Sequence, residues 1–123
     1  MFKIEVISNF SAAHRLNNYR GKCENLHGHN WKVSARVSAN ATDAAGMAVD
    51  FHVLKGHLNS VLSRLDHSYL NDLSIFKKKN PTSENIAEYV FHNLKKLIGK
   101  GPVKVVSVSV WETQTSCATY SSD

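Results

Sequence analysis

The chain has 123 residues, of which 42% are hydrophobic and 20% are charged, with six glycines and two prolines. This composition fits one ordinary globular domain over residues 1–123 and excludes a disordered chain. No apolar run approaches the ~18 residues of a membrane span, and the opening stretch MFKIEVIS is too short and too charged for a signal peptide. We therefore expect a cytoplasmic protein with no membrane partner.

The formal net charge of +5 favours an anionic partner, but it does not choose among nucleic acid, a phosphorylated small molecule and solvent ions. The run Lys77-Lys78-Lys79 is interpreted as a solvated loop, because no recognition-helix pattern, interleaved aromatics or RNA-binding signature accompanies it. We therefore expect no nucleic-acid partner. The two cysteines, Cys23 and Cys117, are far apart in the chain and are interpreted as thiols rather than as a disulfide.

Two strands are predicted in the first third of the chain. Residues 2–14 alternate between apolar and polar side chains, which is typical of a half-buried strand, with a bulge expected near Ser8. Residues 15–26 are polar and contain Asn-Asn and a glycine, so they are predicted to form a loop. A second strand follows, and its predicted inward-facing residues are Trp31, Val33, Ala35, Val37 and Ala39.

Two helices and two further strands are predicted in the remainder. Asp50 is the predicted N-cap of a helix whose apolar stripe consists of Phe51, Leu54, Leu58, Val61, Leu62 and Leu65. A second helix opens at Pro81 and Thr82, with a stripe of Ile86, Tyr89, Val90, Leu94, Leu97 and Ile98. Strands are predicted over residues 103–112 and 117–120. The order β-β-α-α-β-β predicts an α+β fold, a four-stranded antiparallel sheet with both helices packed on one face.

Three of the seven histidines are predicted to converge. His27 and His29 share the parity of the inward residues of the second strand, and His14 shares that of the first. If the two strands form an antiparallel hairpin, the end of the first lies beside the start of the second. The three imidazoles then meet at one rim of the sheet.

Three nitrogen ligands with an open fourth position are typical of a catalytic zinc site, in which the ion acts as a Lewis acid. Two alternatives stay open on the residues alone. His27 and His29 can belong to a hydrogen-bonded turn with His14 an unrelated core residue, or Cys23 can supply a fourth ligand and close a structural zinc site. Cys23 can equally be a base, a nucleophile or an inert thiol, since zinc and imidazoles favour the thiolate form of a nearby cysteine.

Two other segments carry candidate site residues. Asp66-His67 occurs where the first predicted helix breaks, and a turn there can bring the carboxylate to the imidazole. Thr82-Ser83-Glu84 begins the second predicted helix and is interpreted as ordinary capping unless substrate lies nearby.

Glu112 is a further candidate because it ends an otherwise apolar inward face. It shares the parity of Val106, Val108 and Val110 in the predicted strand 103–112. Burying a carboxylate on such a face costs several kcal/mol of folding free energy unless another group pairs with it. Glu112 is therefore either a ligand donor or lies beyond the sheet edge in water.

Six segments, in order along nearly the whole chain, resemble the 6-pyruvoyltetrahydropterin synthase superfamily: 10–14 (FSAAH), 23–30 (CENLHGHN), 50–51 (DF), 65–67 (LDH), 81–85 (PTSEN) and 111–113 (WET). Within the superfamily they are most similar to the bacterial 6-carboxytetrahydropterin synthases of queuosine biosynthesis. The resemblance implies the tunnelling fold, in which such sheets join into barrels. It also implies a homo-oligomer, a hexamer formed as a dimer of trimers or a tetramer, with active sites at subunit interfaces.

The resemblance implies that His14, His27 and His29 bind zinc and that Cys23 is the general base rather than a permanent ligand. The implied substrate is 7,8-dihydroneopterin triphosphate. The carboxy branch yields 6-carboxy-5,6,7,8-tetrahydropterin, acetaldehyde and triphosphate, whereas the pyruvoyl branch yields 6-pyruvoyltetrahydropterin and triphosphate. The three-residue gap between Cys23 and His27 resembles the carboxy enzymes, because the pyruvoyl enzymes typically carry a longer insert. Some superfamily members use a glutamate in this loop instead, but with Cys23 present Glu24 is interpreted as a bystander.

The remaining implied roles concern the substrate. Asp66 and His67 would form a proton relay that acts together with Cys23, and Glu112 would anchor the pterin ring. The turn Thr82-Ser83-Glu84 would contribute further pterin contacts. No particular cation is assigned to the triphosphate, and the basic residues nearest in sequence are Arg15, Arg20 and Lys22.

Overall fold

The computed structural model describes residues 1–17 and 25–122 of the chain. Two long strands form an antiparallel hairpin, β1 (Phe2–His14) and β2 (His27–Ala39). The elements that follow are α1 (Phe51–Leu62), β3 (Ser68–Tyr69), two short 3-10 turns (Leu70–Asp72 and Ser74–Phe76), α2 (Ser83–Ile98), β4 (Lys104–Thr113) and β5 (Ser116–Ser121).

The five strands form one sheet in the order β3-β1-β2-β4-β5. Neighbouring strands are antiparallel except β3, which runs parallel to the end of β1. The predicted α+β class is confirmed, but the predicted count of four strands is wrong. The fifth strand arises because the backbone extends after α1, so that Ser68 pairs with Ala12 and Tyr69 with Ala13. This pairing brings the Asp66-His67 segment beside the first strand.

Both helices cover one face of the sheet, and the core lies between the helices and the sheet. Trp31, Val33 and Val37 of β2 are fully buried on that face, as are Leu58 of α1 and Leu94 of α2. The alternation predicted for the first two strands is therefore confirmed. Because only one parity of each strand faces the helices, the inner and outer faces differ sharply in polarity.

The helix starts follow from side-chain caps. The Asp50 carboxylate accepts a hydrogen bond from the backbone N–H of His52 at 2.8 Å, so α1 begins at Phe51 as predicted. The buried part of each predicted apolar stripe is smaller than the stripe itself, because Phe51 is 65% exposed and Leu97 is 45% exposed. Both lie in terminal turns, where fewer neighbours surround a side chain. No helix in the described ranges is long and apolar enough to cross a membrane.

The β-bulge lies elsewhere than predicted. β1 and β2 pair in continuous register through Ser8, so the expected bulge there does not form. The register between β2 and β4 shifts instead at Arg36 and Val37. As a result Val105 is buried in place of the predicted Val106, while the downstream inward positions, including the one at Glu112, keep their predicted parity.

Candidate metal centre

The end of the β1–β2 hairpin brings the three predicted histidines together. His14 pairs directly with His27, and His29 pairs with Ala12, two residues before His14 on the same face. The ring centroids of the three imidazoles lie 4.6 to 5.2 Å apart. His14 is only 1% exposed, so this cluster forms the edge of the buried core. The predicted convergence at one rim of the sheet is confirmed.

Two backbone carbonyls fix the orientation of two of these rings. Nδ1 of His14 donates to the carbonyl oxygen of Pro81 at 2.8 Å. Nδ1 of His27 donates to the carbonyl oxygen of Asn25, also at 2.8 Å. Because a carbonyl oxygen only accepts, each Nδ1 carries a proton, and the neutral form of either ring then has its lone pair at Nε2. This is the arrangement by which proteins prepare histidine as a metal ligand.

The Nε2 atoms of the cluster lie close to one another and to a carboxylate. Nε2 of His14 lies 3.1 Å from Nε2 of His27, a distance at which two lone pairs repel unless a proton or a cation is shared between them. The carboxylate oxygen Oε1 of Glu112 lies 3.0 Å from Nε2 of His14 and 3.2 Å from Nε2 of His29. The donor set therefore fits a cation, and this group of four residues could hold a metal ion.

Glu112 reaches the cluster from β4, two residues beyond buried Val110 on the inner face. Of the two expectations for Glu112, the structure agrees with a paired carboxylate and not with one in water beyond the sheet edge. Its partly exposed carboxylate contacts two imidazoles. All four candidate ligand atoms lie within 4.8 Å of one another. Glu112 thus occupies a position from which it can either complete a metal site or meet a group bound there.

Cys23 and Glu24 lie outside the described residues. The competing interpretations of Cys23, as base, nucleophile, fourth ligand or inert thiol, therefore stay predictions. Cys117, the other cysteine, is a free and exposed thiol on β5.

The turn between α1 and β3 brings Asp66 and His67 together. Oδ2 of Asp66 lies 2.9 Å from Nδ1 of His67. The backbone of Ser11 on β1 clamps this turn, because its N–H donates to Oδ1 of Asp66 at 2.9 Å and its carbonyl accepts from the N–H of His67 at 2.6 Å. His67 adopts a φ of 56°, a left-handed conformation that is uncommon for a residue with a side chain. The clamp holds this strained turn, and the His67 ring stands 83% exposed.

The surroundings of the Asp66 carboxyl also lower its pKa. The hydrogen bond from the Ser11 backbone N–H is the main cause that holds its pKa below the usual value, and the His67 side chain acts in the same direction. An ionised carboxylate next to Nδ1 favours a proton on that nitrogen, and the neutral form of the ring then has its lone pair at Nε2.

The segment Thr82-Ser83-Glu84 begins α2. The Thr82 hydroxyl accepts from the backbone N–H of Asn85 at 3.1 Å, so ordinary capping is observed. The preceding residue, Pro81, supplies the carbonyl that holds His14. Sequence reasoning missed this carbonyl and that of Asn25, because every residue has one and nothing in a side-chain pattern distinguishes the two that matter.

The α+β fold, with a three-histidine and one-carboxylate group at the sheet rim, defines a candidate metalloenzyme. Residues 3–123 match the family model described as 6-pyruvoyl tetrahydropterin synthase. The chain belongs to this family of enzymes.

Individual relatives agree with the family match. The chain is 40% identical, over 116 residues that cover 90% of it and 86% of the relative, to a Synechocystis protein named 6-carboxy-5,6,7,8-tetrahydropterin synthase. It is 36% identical, over 90% of its length and 85% of the relative, to human 6-pyruvoyl tetrahydrobiopterin synthase. Its fold matches the structure of Caenorhabditis elegans 6-pyruvoyl tetrahydropterin synthase with a TM-score of 0.86 at 32% identity, covering 99% of this chain and 96% of the other.

Replacing one imidazole should remove the metal. We expect His29→Ala to lower metal affinity by more than about 100-fold, because losing even an outer-shell partner of a ligand costs 10- to 100-fold. Metal content after dialysis against a metal buffer measures this, with His52→Ala, at an exposed histidine on α1, as the control. Equal metal content in the two variants would contradict the site.

Asp66 should stabilise the fold in a pH-dependent way. Its folded pKa lies below the usual 3.8, so ionised Asp66 stabilises the fold above that pH, and the contribution is lost as the pH falls through the folded pKa. Asp66→Asn keeps the acceptor for Ser11 but removes the charge. The stability difference between wild type and variant, from denaturant unfolding at one protein concentration, should be constant near neutral pH and narrow below about pH 4. A difference that persists unchanged into acid would contradict this assignment.

Proposed function

We propose that the chain is a zinc-dependent 6-carboxytetrahydropterin synthase, a lyase of the queuosine pathway. It would convert 7,8-dihydroneopterin triphosphate to 6-carboxy-5,6,7,8-tetrahydropterin, acetaldehyde and triphosphate. The observation that carries the proposal is the convergence of three histidines, two of them held with Nε2 lone pairs facing the cluster, beside Glu112. The name of the Synechocystis relative and the short spacing between Cys23 and His27 favour the carboxy branch.

Zinc is the proposed metal because imidazole nitrogens suit it, and because three histidines leave one position of a four-coordinate site for substrate. His14, His27 and His29 would hold the ion. When bound, zinc would act as a Lewis acid that polarises the side-chain oxygens of the substrate and so acidifies the neighbouring C–H bonds.

The chain's own groups would move the protons. Cys23 would act as general base, and the Asp66–His67 pair would act as a relay. The ionised Asp66 holds Nδ1 of His67, which leaves Nε2 available to accept a proton on the exposed side of the ring. Positioned groups of this kind contribute about 10²- to 10⁴-fold to rate.

Glu112 and the start of α2 would bind the pterin ring. The Glu112 carboxylate lies against the histidines and is partly exposed, so it can accept hydrogen bonds from ring N–H groups of a molecule at the cluster. Thr82, Ser83 and Glu84 follow Pro81, whose carbonyl contacts His14, so this turn is adjacent to the same site.

A homo-oligomer, a hexamer as a dimer of trimers or a tetramer, is part of the proposal. Among the described residues, β3 covers only Ala12 and Ala13 of the outer edge of β1, so most of that long edge is open. Such edges are normally covered in folded proteins. The exposed His67 ring would then meet substrate at a subunit boundary. We place the enzyme in the cytoplasm, with no nucleic-acid partner.

Two other functions are kept as alternatives. The names of the human and C. elegans relatives favour a 6-pyruvoyl tetrahydropterin synthase that acts on the same substrate. A non-catalytic module, in which Cys23 and the three histidines hold structural zinc, is the alternative of another class.

Product identification separates the three functions. Incubation of zinc-loaded protein with 7,8-dihydroneopterin triphosphate should release acetaldehyde together with 6-carboxytetrahydropterin, and prior removal of the metal should abolish the reaction. Chromatography of the pterins and an assay for acetaldehyde measure the outcome. A pyruvoyl product without acetaldehyde would favour the first alternative, and no turnover by zinc-loaded protein would favour the structural module.

Substitution of Cys23 and Glu112 should leave zinc bound but impair turnover. We expect Cys23→Ala to lower kcat by at least about 100-fold, as for a lost general base, and Glu112→Gln to raise KM because the amide no longer offers a charged acceptor. Cys117→Ala, at the exposed thiol, is the control and should change neither zinc content nor rate. Loss of zinc from Cys23→Ala would make it a ligand, and unchanged turnover would remove it from the mechanism.

A further inference from the structure

A polar cleft lies between Asn17, three residues after the end of β1, and the loop that precedes α2. Its volume is about 240 Å³. It is lined by Asn17, Phe76, Lys77, Lys78, Lys79 and Asn80. The lysine run is an exposed loop, as predicted, but the fold arranges all three of its residues around one cavity.

Hydrogen bonds build the walls of this cleft. The Asn80 side chain accepts from the backbone N–H of Asn17 at 2.8 Å and donates to the backbone carbonyl of Asn17 at 2.9 Å. The Asn85 side chain donates to the carbonyl of Asn80 at 2.7 Å and thereby ties the loop to α2. These bonds fix the end of the lysine loop at Asn80, both to Asn17 and to α2.

The charge on the cleft is strongly positive. Of its three ammonium groups, only that of Lys79 has a carboxylate within 4.0 Å among the described residues, Oε1 of Glu88 at 3.6 Å. Lys77 and Lys78 are exposed and add two positive charges without such a partner in the described part of the chain. A site of this kind favours a polyanion, and lysine binds phosphate groups as a mobile point charge.

The cleft is close to the imidazole cluster. Pro81 directly follows Asn80, and its carbonyl oxygen lies 2.8 Å from Nδ1 of His14. Adding the standard distances along the backbone places Cα of Asn80 within about 9 Å of that nitrogen. The distance between the cleft wall at Asn80 and His14 of the cluster is therefore within the length of one extended small molecule.

We propose that this cleft binds the triphosphate of the substrate, with Lys77 and Lys78 as the principal contacts. The inference rests on the proposed function, in that a pterin at the histidines brings its triphosphate to this loop. Binding a remote, fully charged group lets the enzyme hold a substrate whose pterin end is small and polar. The same cations would hold the triphosphate anion after it leaves.

Inorganic tripolyphosphate tests the cleft without any turnover. Calorimetric titration of the zinc-loaded protein should show binding that weakens roughly three- to tenfold in the double variant K77Q/K78Q, the range expected for two exposed charge contacts. The control K95Q/K96Q removes the same charge from exposed positions in the last turn of α2 and should bind as wild type does. Zinc content is measured after each titration, because tripolyphosphate chelates divalent cations.

The outcomes separate this inference from the proposed function. Equal weakening in both double variants, or no binding by wild type, would overturn the cleft as the site. Selective weakening in K77Q/K78Q without turnover of 7,8-dihydroneopterin triphosphate would overturn the proposed function and leave a polyphosphate site. If both hold, K77Q/K78Q should raise KM for that substrate by a similar factor, with kcat and zinc content preserved.

Discussion

The unbroken register between β1 and β2 is the constraint on which the candidate site depends. It pairs His14 with His27 and sets His29 diagonally beside them on the inner face. Because side chains alternate along a strand, a slip of one residue would turn the histidines of one strand to the outer face. Burial prevents such a slip, since it would also expose one of the stacked rings of Phe10 and Trp31, which are among the most buried side chains of the fold.

The histidine cluster is a polar group built into the border of the core. His14 is as buried as the neighbouring Phe10, and its ring packs edge-on against Trp31 with centroids 4.9 Å apart. A buried imidazole needs partners for both nitrogens. The Pro81 carbonyl satisfies Nδ1, so Nε2 is left to the cluster. The residue before α2 therefore orients a side chain on a strand far away in sequence, and the fold itself holds the candidate ligands in place.

Strand parity allowed the main features of the site to be predicted from the sequence. The alternation in β1, β2 and β4 was sufficient to place the three histidines and Glu112 on one face. The two-residue strand β3 could not be predicted, because its residues carry no alternation and it forms only where the backbone happens to run beside Ala12 and Ala13. The bulge opposite Arg36 could not be predicted either, since it depends on how β4 pairs with β2 and no residue of β4 marks its position. The lysine loop shows the same limit, because three consecutive charges do not reveal that they surround a cavity.

The hairpin pairing has a consequence for how the family can diversify. The described pairing of β1 and β2 reaches His14 and His27, so the stretch of sequence between these two residues joins two members of the histidine cluster. Lengthening such a connection adds little closure entropy, and it leaves the register of the imidazoles unchanged. Insertions and substitutions between His14 and His27 can therefore change the groups around the imidazoles while the positions of the imidazoles stay constant. One hairpin can in this way carry connections of different length and composition beside an unchanged group of side chains.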